Sequence, residues 1–218
     1  MPTLVIGNRN YSSWSLRPWL LLRASGVPFD VRPIPLDTPE FHATIADWSP
    51  NRRVPALHDD GGLVAWDSLA VCEVINERWL GGRGWPDDRD ARAFARSAVA
   101  EMHSGFAALR AQLPFNCRRL PDAYRWDAAA QSDIDRIQSL WQQLRARHGA
   151  NGPFLCGTFG IVDAMYAPVA VRFRGYGVAE SPVTAAYCDT LFAMPELQEW
   201  IAAARAETEH LQPYERTP

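Results

Sequence analysis

The architecture follows most directly from TLVIGNRNYSSWSLRPWLLLRASG, residues 3–26. The run TLVIG is rich in β-branched residues and predicts a short strand. The polar residues 8–13 indicate a turn, and the leucine-rich segment 14–24 predicts a helix that ends at Ser25-Gly26. Pro18 fits this helix if it lies in the first turn, where its missing N–H costs nothing. A strand followed at once by a helix predicts a sheet with a helix packed on it.

The rest of the first eighty residues continues this alternation. Pattern and turn signals predict strands at 29–36, 54–58 and 63–66 and helices at 38–48 and 67–80. Pro33 and Pro35 place the first of these strands at a sheet edge. Asp59-Asp60-Gly61-Gly62 is a hairpin turn signal between the other two. The order βαβαββα over residues 1–80 therefore predicts a small mixed sheet covered by helices.

The second part of the chain has a helical pattern only. Residues 81–86, GGRGWP, predict a linker. Apolar spacings of three and four predict helices at 94–113, 134–144, 161–173, 183–193 and 195–206. The third of these is apolar around its circumference, which predicts a central buried helix. The expected fold class is thus α/β followed by all-α, with an all-helical domain over 87–218.

The composition argues against several classes of partner. The chain has 218 residues, with 22 basic and 25 acidic side chains and a formal net charge of −3. Nucleic acid is not an expected partner, because phosphate binding requires a basic face. No apolar run approaches the roughly 20 residues that span a bilayer, and residues 1–10 lack a secretion signal pattern. We therefore expect no membrane association and a cytoplasmic location.

The cysteines and histidines show no metal-ligand spacing. The four cysteines are far apart, and the five histidines include no H-x-x-x-H pair. Scattered cysteines without a secretion signal are typical of reduced core thiols. We therefore expect no metal site. All of the basic residues are arginine, since the sequence contains no lysine.

Three polar features in the first eighty residues are candidates for chemistry. Ser12 and Ser13 precede the first helix, where free N–H groups and the helix dipole stabilise an anion such as a thiolate. Val54-Pro55 begins a strand and, if the bond is cis, presents backbone groups to an extended peptide. Asp67-Ser68 opens a helix and suits an ammonium and a carboxylate. Taken singly, these features are more typical of helix N-caps and of the start of an edge strand than of a binding site.

Together, the three features suit one ligand with a thiol, a peptide backbone and an amino-acid head group, and glutathione has these parts in that order. S-S-W-S-L-R (12–17) resembles S-S-C-S-x-R of the zeta class of serine-type glutathione transferases. S-P-N-R-R-V-P (49–55) is similar to N-P-x-x-K-V-P, and Asp67-Ser68 is similar to Glu/Gln-Ser. F-L-C-G and I-V-D-A (154–157 and 161–164) resemble the family's folding motif. The resemblance covers essentially the whole chain.

The resemblance implies a thioredoxin-like first domain, an all-helical second domain and assembly as a homodimer. Glutathione would be the co-substrate and a small electrophile the second substrate, without a metal. Ser12 takes the place of the thiol-activating serine, and the adjacent Ser13 can share or take that role. Val54, with Pro55 in the cis form, would pair with the cysteinyl backbone. The other expected glutathione-binding residues are Trp14, Arg53, Asp67 and Ser68.

Two positions depart from the family pattern. Trp14 stands where the zeta class has a cysteine that contributes to isomerase chemistry, which argues against maleylacetoacetate isomerase activity. Gly160 replaces the serine or threonine that caps the central helix, and Asp163 three residues later can bond back to the cap N–H. That role for Asp163 is structural.

The electrophile pocket is the least specified part of the site. His103 and Phe106 are the candidates, on the first long helix of the second domain, although the position of His103 off the apolar stripe is more typical of a solvated or interface histidine. The leading function is a glutathione transferase. The alternatives are a glutathione-dependent peroxidase or isomerase, and a non-catalytic transferase-like interaction module, since fold does not fix function.

Overall fold

The computed structural model describes residues 1–216, and its first part is built on a four-stranded mixed sheet. The strands are β1 (Thr3–Ile6), β2 (Asp30–Pro33), β3 (Ala56–His58) and β4 (Val64–Trp66), in the spatial order β2-β1-β3-β4. β1 and β2 are parallel, with Leu4 opposite Val31, and β3 is antiparallel to both β1 and β4. The mixed sheet expected from the sequence is confirmed.

Helices make up the remainder of the fold. Three accompany the sheet: α1 (Ser13–Ala24), α2 (Pro39–Trp48) and α3 (Ser68–Ile75), which continues as a π-helical segment over Asn76–Leu80. Within residues 1–216, six further helices follow: α4 (Arg89–Ser104), α5 (Ala107–Gln112), α6 (Ala128–His148), α7 (Ile161–Tyr176), α8 (Pro182–Phe192) and α9 (Pro195–Ala206). Short 3-10 segments lie at Gly149–Asn151 and Gln212–Tyr214. The thioredoxin-like part followed by an all-helical part is thus confirmed.

Most of these helices begin where a short polar side chain caps the first turn. Such a side chain accepts a hydrogen bond from an N–H group that has no partner within the helix. The capping residues are Ser12, Thr38, Asp67, Asp88, Asp127 and Ser181. Helix boundaries in this chain are therefore largely encoded by Ser, Thr and Asp.

The expected continuous helix over 94–113 is interrupted, and this part of the prediction is wrong. α4 ends at Ser104, Phe106 adopts a left-handed conformation with φ 57°, and α5 begins at Ala107. At Gly105 a Cβ atom would lie 2.6 Å from the Glu101 carbonyl oxygen, so this backbone conformation requires glycine. The side chain of Asp133, on α6, accepts a hydrogen bond from the Leu109 N–H at 2.9 Å and supports the new helix start.

α7 lies at the centre of the helical part and is buried on nearly all sides, as its apolar pattern predicts. α1 packs against both α7 and α3, so the core runs without interruption from the sheet into the helical part. Asp163 accepts hydrogen bonds from the backbone N–H groups of Gly160 and Leu155, both at 3.0 Å. A Cβ at Gly160 would lie 2.6 Å from the Gly84 carbonyl oxygen, which explains the glycine at this cap.

The segment between the two parts, residues 81–86, forms turns, and the Ile161 N–H donates to the Gly84 carbonyl at 2.9 Å. The linker is therefore tied to the start of α7. Within residues 1–216, no helix combines the length and the apolarity needed to cross a membrane.

Candidate functional site

The N-terminus of α1 carries a chain of buried hydroxyl groups. Ser12 Oγ lies 2.7 Å from Ser15 Oγ, and Ser15 Oγ also accepts a hydrogen bond from the Gly7 N–H at 3.2 Å. Both serines are almost fully buried. A serine hydroxyl donates one hydrogen bond, and the acceptor in reach of the Ser15 hydroxyl hydrogen is Ser12 Oγ. If Ser15 donates to Ser12, the Ser12 hydrogen is left to point elsewhere.

Ser13 is the first residue of α1 and is 4% exposed. Its N–H donates to the Tyr11 carbonyl at 3.1 Å, whereas its hydroxyl makes no hydrogen bond with another residue of the described chain. The two serines thus differ. The Ser12 hydroxyl belongs to an internal network, and the Ser13 hydroxyl stands at the positive end of α1 without an internal partner.

Asp67 and Ser68 form the second part of the site, at the N-terminus of α3. Asp67 has φ 74°, an uncommon conformation outside glycine, which marks a strained, specifically held position. Its Oδ1 accepts hydrogen bonds from the backbone N–H groups of Leu69 and Ala70, at 2.9 and 3.4 Å. Its Oδ2 lies 3.1 Å from Nε2 of His103. One carboxylate therefore caps α3 and reaches α4.

The ionisation of Asp67 reflects these contacts. Burial acts to raise the pKa of this carboxyl, but the contact with His103 and the N–H groups of Leu69 and Ala70 outweigh it and lower the pKa below its ordinary value. Asp67 is therefore a carboxylate at neutral pH. Its position suits a ligand ammonium group.

The third part is the turn before β3. The Val54-Pro55 peptide bond is cis, in agreement with the form that the family resemblance implies. Asn51 Oδ1 accepts hydrogen bonds from the Ser49 hydroxyl at 2.8 Å and from the Arg53 N–H at 3.0 Å, which fixes the turn. The backbone N–H and C=O of Val54 have no hydrogen-bond partner among the described residues. They are available to an extended peptide.

The second and third parts meet, together with Trp14 of α1, around one cavity with a volume of ≈ 170 Å³. It is lined by Trp14, Asn51, Arg53, Val54, Pro55, Asp67 and Ser68. Six of these seven residues are candidates from the sequence, whereas Asn51 was missed, although it lies within the motif at 49–55. Neither Ser12 nor Ser13 lines the cavity; they precede Trp14, which does.

Trp14 forms one wall of the cavity and is held between cationic groups. The guanidinium carbons of Arg17 and Arg110 lie 4.1 and 4.7 Å from its ring centroid. The His103 ring meets it edge to face, with centroids 5.4 Å apart. Cation–π contacts of this kind are most favourable with tryptophan and fix the ring in place.

The two candidate electrophile-pocket residues have different positions. His103 is half-buried and contacts Asp67 and Trp14, so it lies next to the cavity, but it is paired and does not line it. Phe106 is buried in the main core at the start of α5 and does not line the cavity either.

The chain matches the family model "Glutathione S-transferase, N-terminal domain" over residues 11–78 and the model "Glutathione S-transferase, C-terminal domain" over residues 87–203. The chain belongs to the glutathione S-transferase family. The cavity described above is lined from within the first of these matched regions.

Solved structures of glutathione transferases share this fold. A glutathione transferase homologue from Burkholderia gl BGR1, with bound glutathione, is 23% identical, with 94% of this chain and 98% of that chain covered and a TM-score of 0.70. A homologue from Lodderomyces elongisporus, with two glutathione molecules per subunit, is 16% identical, with coverages of 92% and 97% and a TM-score of 0.69. Isozyme E7 from Drosophila melanogaster is 21% identical, with coverages of 94% and 93% and a TM-score of 0.69. Comparison with curated proteins gives no match.

In this glutathione S-transferase family member, the C-terminal segment holds the loop that precedes Ser12. The two Glu207 carboxylate oxygens accept hydrogen bonds from the N–H groups of Arg9 and Asn10, at 2.6 and 3.0 Å. The Tyr11 hydroxyl donates to Glu215 at 2.6 Å. Burial and the Glu215 carboxylate raise the pKa of Tyr11, so its hydroxyl stays protonated. Sequence reasoning missed this clamp, because its partners are nearly two hundred residues apart.

Proposed function

We propose that this protein is a glutathione transferase of the serine type, which binds glutathione in the cavity beside Trp14 and activates its thiol at the N-terminus of α1. The observation that carries the proposal is the shared cavity of Val54, Asp67 and Ser68. Its backbone amide, carboxylate and hydroxyl groups suit the peptide, ammonium and carboxylate groups of one ligand. Free backbone groups at Val54 suit the cysteinyl peptide, and Asp67 and Ser68 suit the γ-glutamyl ammonium and carboxylate.

Thiol activation is the chemical core of the proposal. A free cysteine thiol has a pKa of about 8.5, so little thiolate is present at neutral pH. A hydroxyl that donates to the sulfur, next to the positive end of a helix, stabilises the thiolate, and each unit of lowering corresponds to about 1.36 kcal/mol. The thiolate then attacks the electrophile, with the sulfur–carbon bond formed as the leaving group departs.

Ser12 and Ser13 are both candidates for this hydroxyl. Ser12 is supported by the donor order Gly7 N–H to Ser15, Ser15 to Ser12 and Ser12 to sulfur, in which every hydrogen has an acceptor once the thiolate is bound. Ser13 is supported by its unoccupied hydroxyl at the start of α1. The alanine variants of the two serines therefore form a matched pair.

The experiment measures conjugation of glutathione to an aromatic electrophile by wild type, Ser12→Ala and Ser13→Ala, together with the affinity of each for glutathione. We expect one of the two variants to lose roughly 100-fold in kcat/KM, while its affinity for glutathione stays within a few-fold of wild type. The other variant then serves as the control. Full activity in both variants would contradict the serine mechanism.

The same assays test the alternatives. Peroxide reduction without conjugation would favour a glutathione peroxidase, and the absence of any glutathione binding would favour a non-catalytic interaction module. Trp14 in place of the zeta-class cysteine is an argument against isomerase activity. We further propose a homodimer as the working form, as in the family, for which sedimentation analysis is the direct test.

A further inference from the structure

Arg17, on α1, is a buried cation whose side-chain contacts are all neutral. Nη1 donates to Ser68 Oγ at 2.9 Å and Nη2 lies 3.4 Å from Met102 Sδ. The Trp14 ring covers the guanidinium, and Nε has no hydrogen-bond partner within the part of the chain that the structure describes. The residue is 1% exposed, and among the described residues no carboxylate lies within 4 Å of it.

Two other arginines in this region, Arg110 and Arg172, donate to backbone carbonyl oxygens, as Arg17 does not among the described residues. Arg172 donates to the carbonyl oxygens of Leu113 at 2.8 Å and Pro168 at 3.3 Å. Arg110 donates to carbonyl oxygens at the end of α4, including that of Gly105 at 3.0 Å. Both guanidinium groups therefore rest on negative ends of backbone dipoles.

Arg17 carries a buried charge that has no ion-pair partner among residues 1–216, and the Asp67 carboxylate acts on it only at longer range. Burial, together with the positive charges of Arg110 and Arg172, lowers its pKa well below the ordinary value. A buried charge without a partner is destabilising, and proteins retain such charges mostly where a partner or ligand neutralises them. The nearby carboxylate of Asp67 is already held by α3 and His103.

Ser68 connects Arg17 to the cavity. Its hydroxyl oxygen accepts the hydrogen bond from Arg17, so its own hydrogen is free to be donated, and the residue lines the cavity. A carboxylate in the cavity that accepts from Ser68 would be separated from the guanidinium by one polarised hydroxyl. The hydroxyl thereby transmits the effect of a buried charge to a bound anion.

We infer that Arg17 is the buried counter-charge of the γ-glutamyl carboxylate of bound glutathione and acts on it through the Ser68 hydroxyl. Arg17 is thus a positioning residue, which does not touch the ligand. The inference rests on the proposed function, because it assumes that the cavity binds glutathione. The specificity for the γ-glutamyl carboxylate would then come in part from the Arg17 guanidinium, which lies behind Ser68 and does not line the cavity.

The test compares two ligands, glutathione and γ-aminobutyryl-cysteinyl-glycine, which lacks only the γ-glutamyl α-carboxylate. Dissociation constants are measured by calorimetry for wild type, two neutral variants, Arg17→Met and Arg17→Gln, and the charged variant Arg17→Lys. The guanidinium and the γ-glutamyl carboxylate would be unit charges about 5 Å apart, in surroundings with an effective dielectric constant of about 20. Because their attraction is lost in the neutral variants, we expect these to bind glutathione roughly 10- to 100-fold more weakly.

The decisive quantity is the ratio of the two dissociation constants. We expect wild type to prefer glutathione by at least about tenfold, Arg17→Lys to retain most of that preference, and both neutral variants to lose it while binding the analogue as wild type does. Without ligand, Arg17→Met should unfold at the same or a higher temperature than wild type.

Three results would overturn the inference. If the neutral variants weaken the binding of both ligands equally, Arg17 has a structural role only. If they keep the wild-type preference for glutathione, another group recognises the carboxylate, and the proposed function stands without Arg17. If wild type binds neither ligand, the proposed function fails and the inference fails with it.

Discussion

Replacing Glu207 by alanine removes the carboxylate that joins the C-terminal segment to the loop before α1. Its two oxygens accept hydrogen bonds from the Arg9 and Asn10 N–H groups, and Asn10 is fully buried. A buried donor that loses its partner costs about 1–3 kcal/mol. Because Glu207 is itself partly exposed, water can hydrogen-bond to one of the freed N–H groups in the variant. We therefore expect the free energy of unfolding to fall by about 2–3 kcal/mol for the two hydrogen bonds together.

The matched control is Glu209→Ala. Glu209 lies in the same segment and is exposed, and among the described residues its side chain makes no hydrogen bond, whereas its backbone carbonyl accepts one from Arg118 at 2.7 Å. Removing its side chain should therefore change the free energy of unfolding by less than about 0.5 kcal/mol. The two variants differ by the contact alone.

The assay is urea unfolding of both variants and wild type at one protein concentration, because subunit assembly would make stability concentration-dependent. At about 2–4 °C per kcal/mol for a chain of this size, thermal unfolding should show a loss of roughly 4–12 °C for Glu207→Ala. Equal stability of Glu207→Ala and Glu209→Ala would refute the assignment of the clamp.

Three further predictions concern single positions. Asp67→Asn should weaken glutathione binding roughly tenfold in calorimetry yet leave the thermal midpoint nearly unchanged, because asparagine tolerates positive φ and still caps α3 while the charge is lost. Burial raises the pKa of Asp163 to about 6, so between about pH 4 and pH 6 the folded state binds a proton that the unfolded state has lost. The free energy of unfolding should therefore fall by up to about 3 kcal/mol as the pH rises through this range. Asp163→Asn should flatten that slope when urea unfolding is measured at a series of pH values. Gly105→Ala should cost about 1–3 kcal/mol in the same assay, against little change for Gly61→Ala, whose nearest neighbour lies 3.4 Å from the added Cβ.

The first part of the fold was predictable because its signals are local. The β-branched run at 3–7, the cap at Ser12 and the turn at Asp59–Gly62 each act within a few residues, and each element appears where they indicate. Most of the cavity wall was found in the same way, since its motifs lie at the ends of strands and the starts of helices.

The features that sequence reasoning missed depend on distant contacts. The apolar spacing from Phe94 to Leu113 passes through Gly105 without a change of period, and the restart at Ala107 is supported by Asp133 from α6. The surroundings of Arg17 depend on Ser68 and Met102, which follow it by 51 and 85 positions along the chain. No short motif encodes which acceptors a buried arginine will lack.

The ionisation of bound glutathione is the most direct measure of thiol activation at the N-terminus of α1. It can be measured as the ultraviolet absorption of the thiolate while the wild-type complex is titrated with base, with free glutathione titrated in the same buffer. We predict that the thiol pKa of bound glutathione lies at least about one unit below that of the free tripeptide, which corresponds to about 1.4 kcal/mol of thiolate stabilisation. Equal pKa values for bound and free glutathione would contradict thiol activation at the N-terminus of α1.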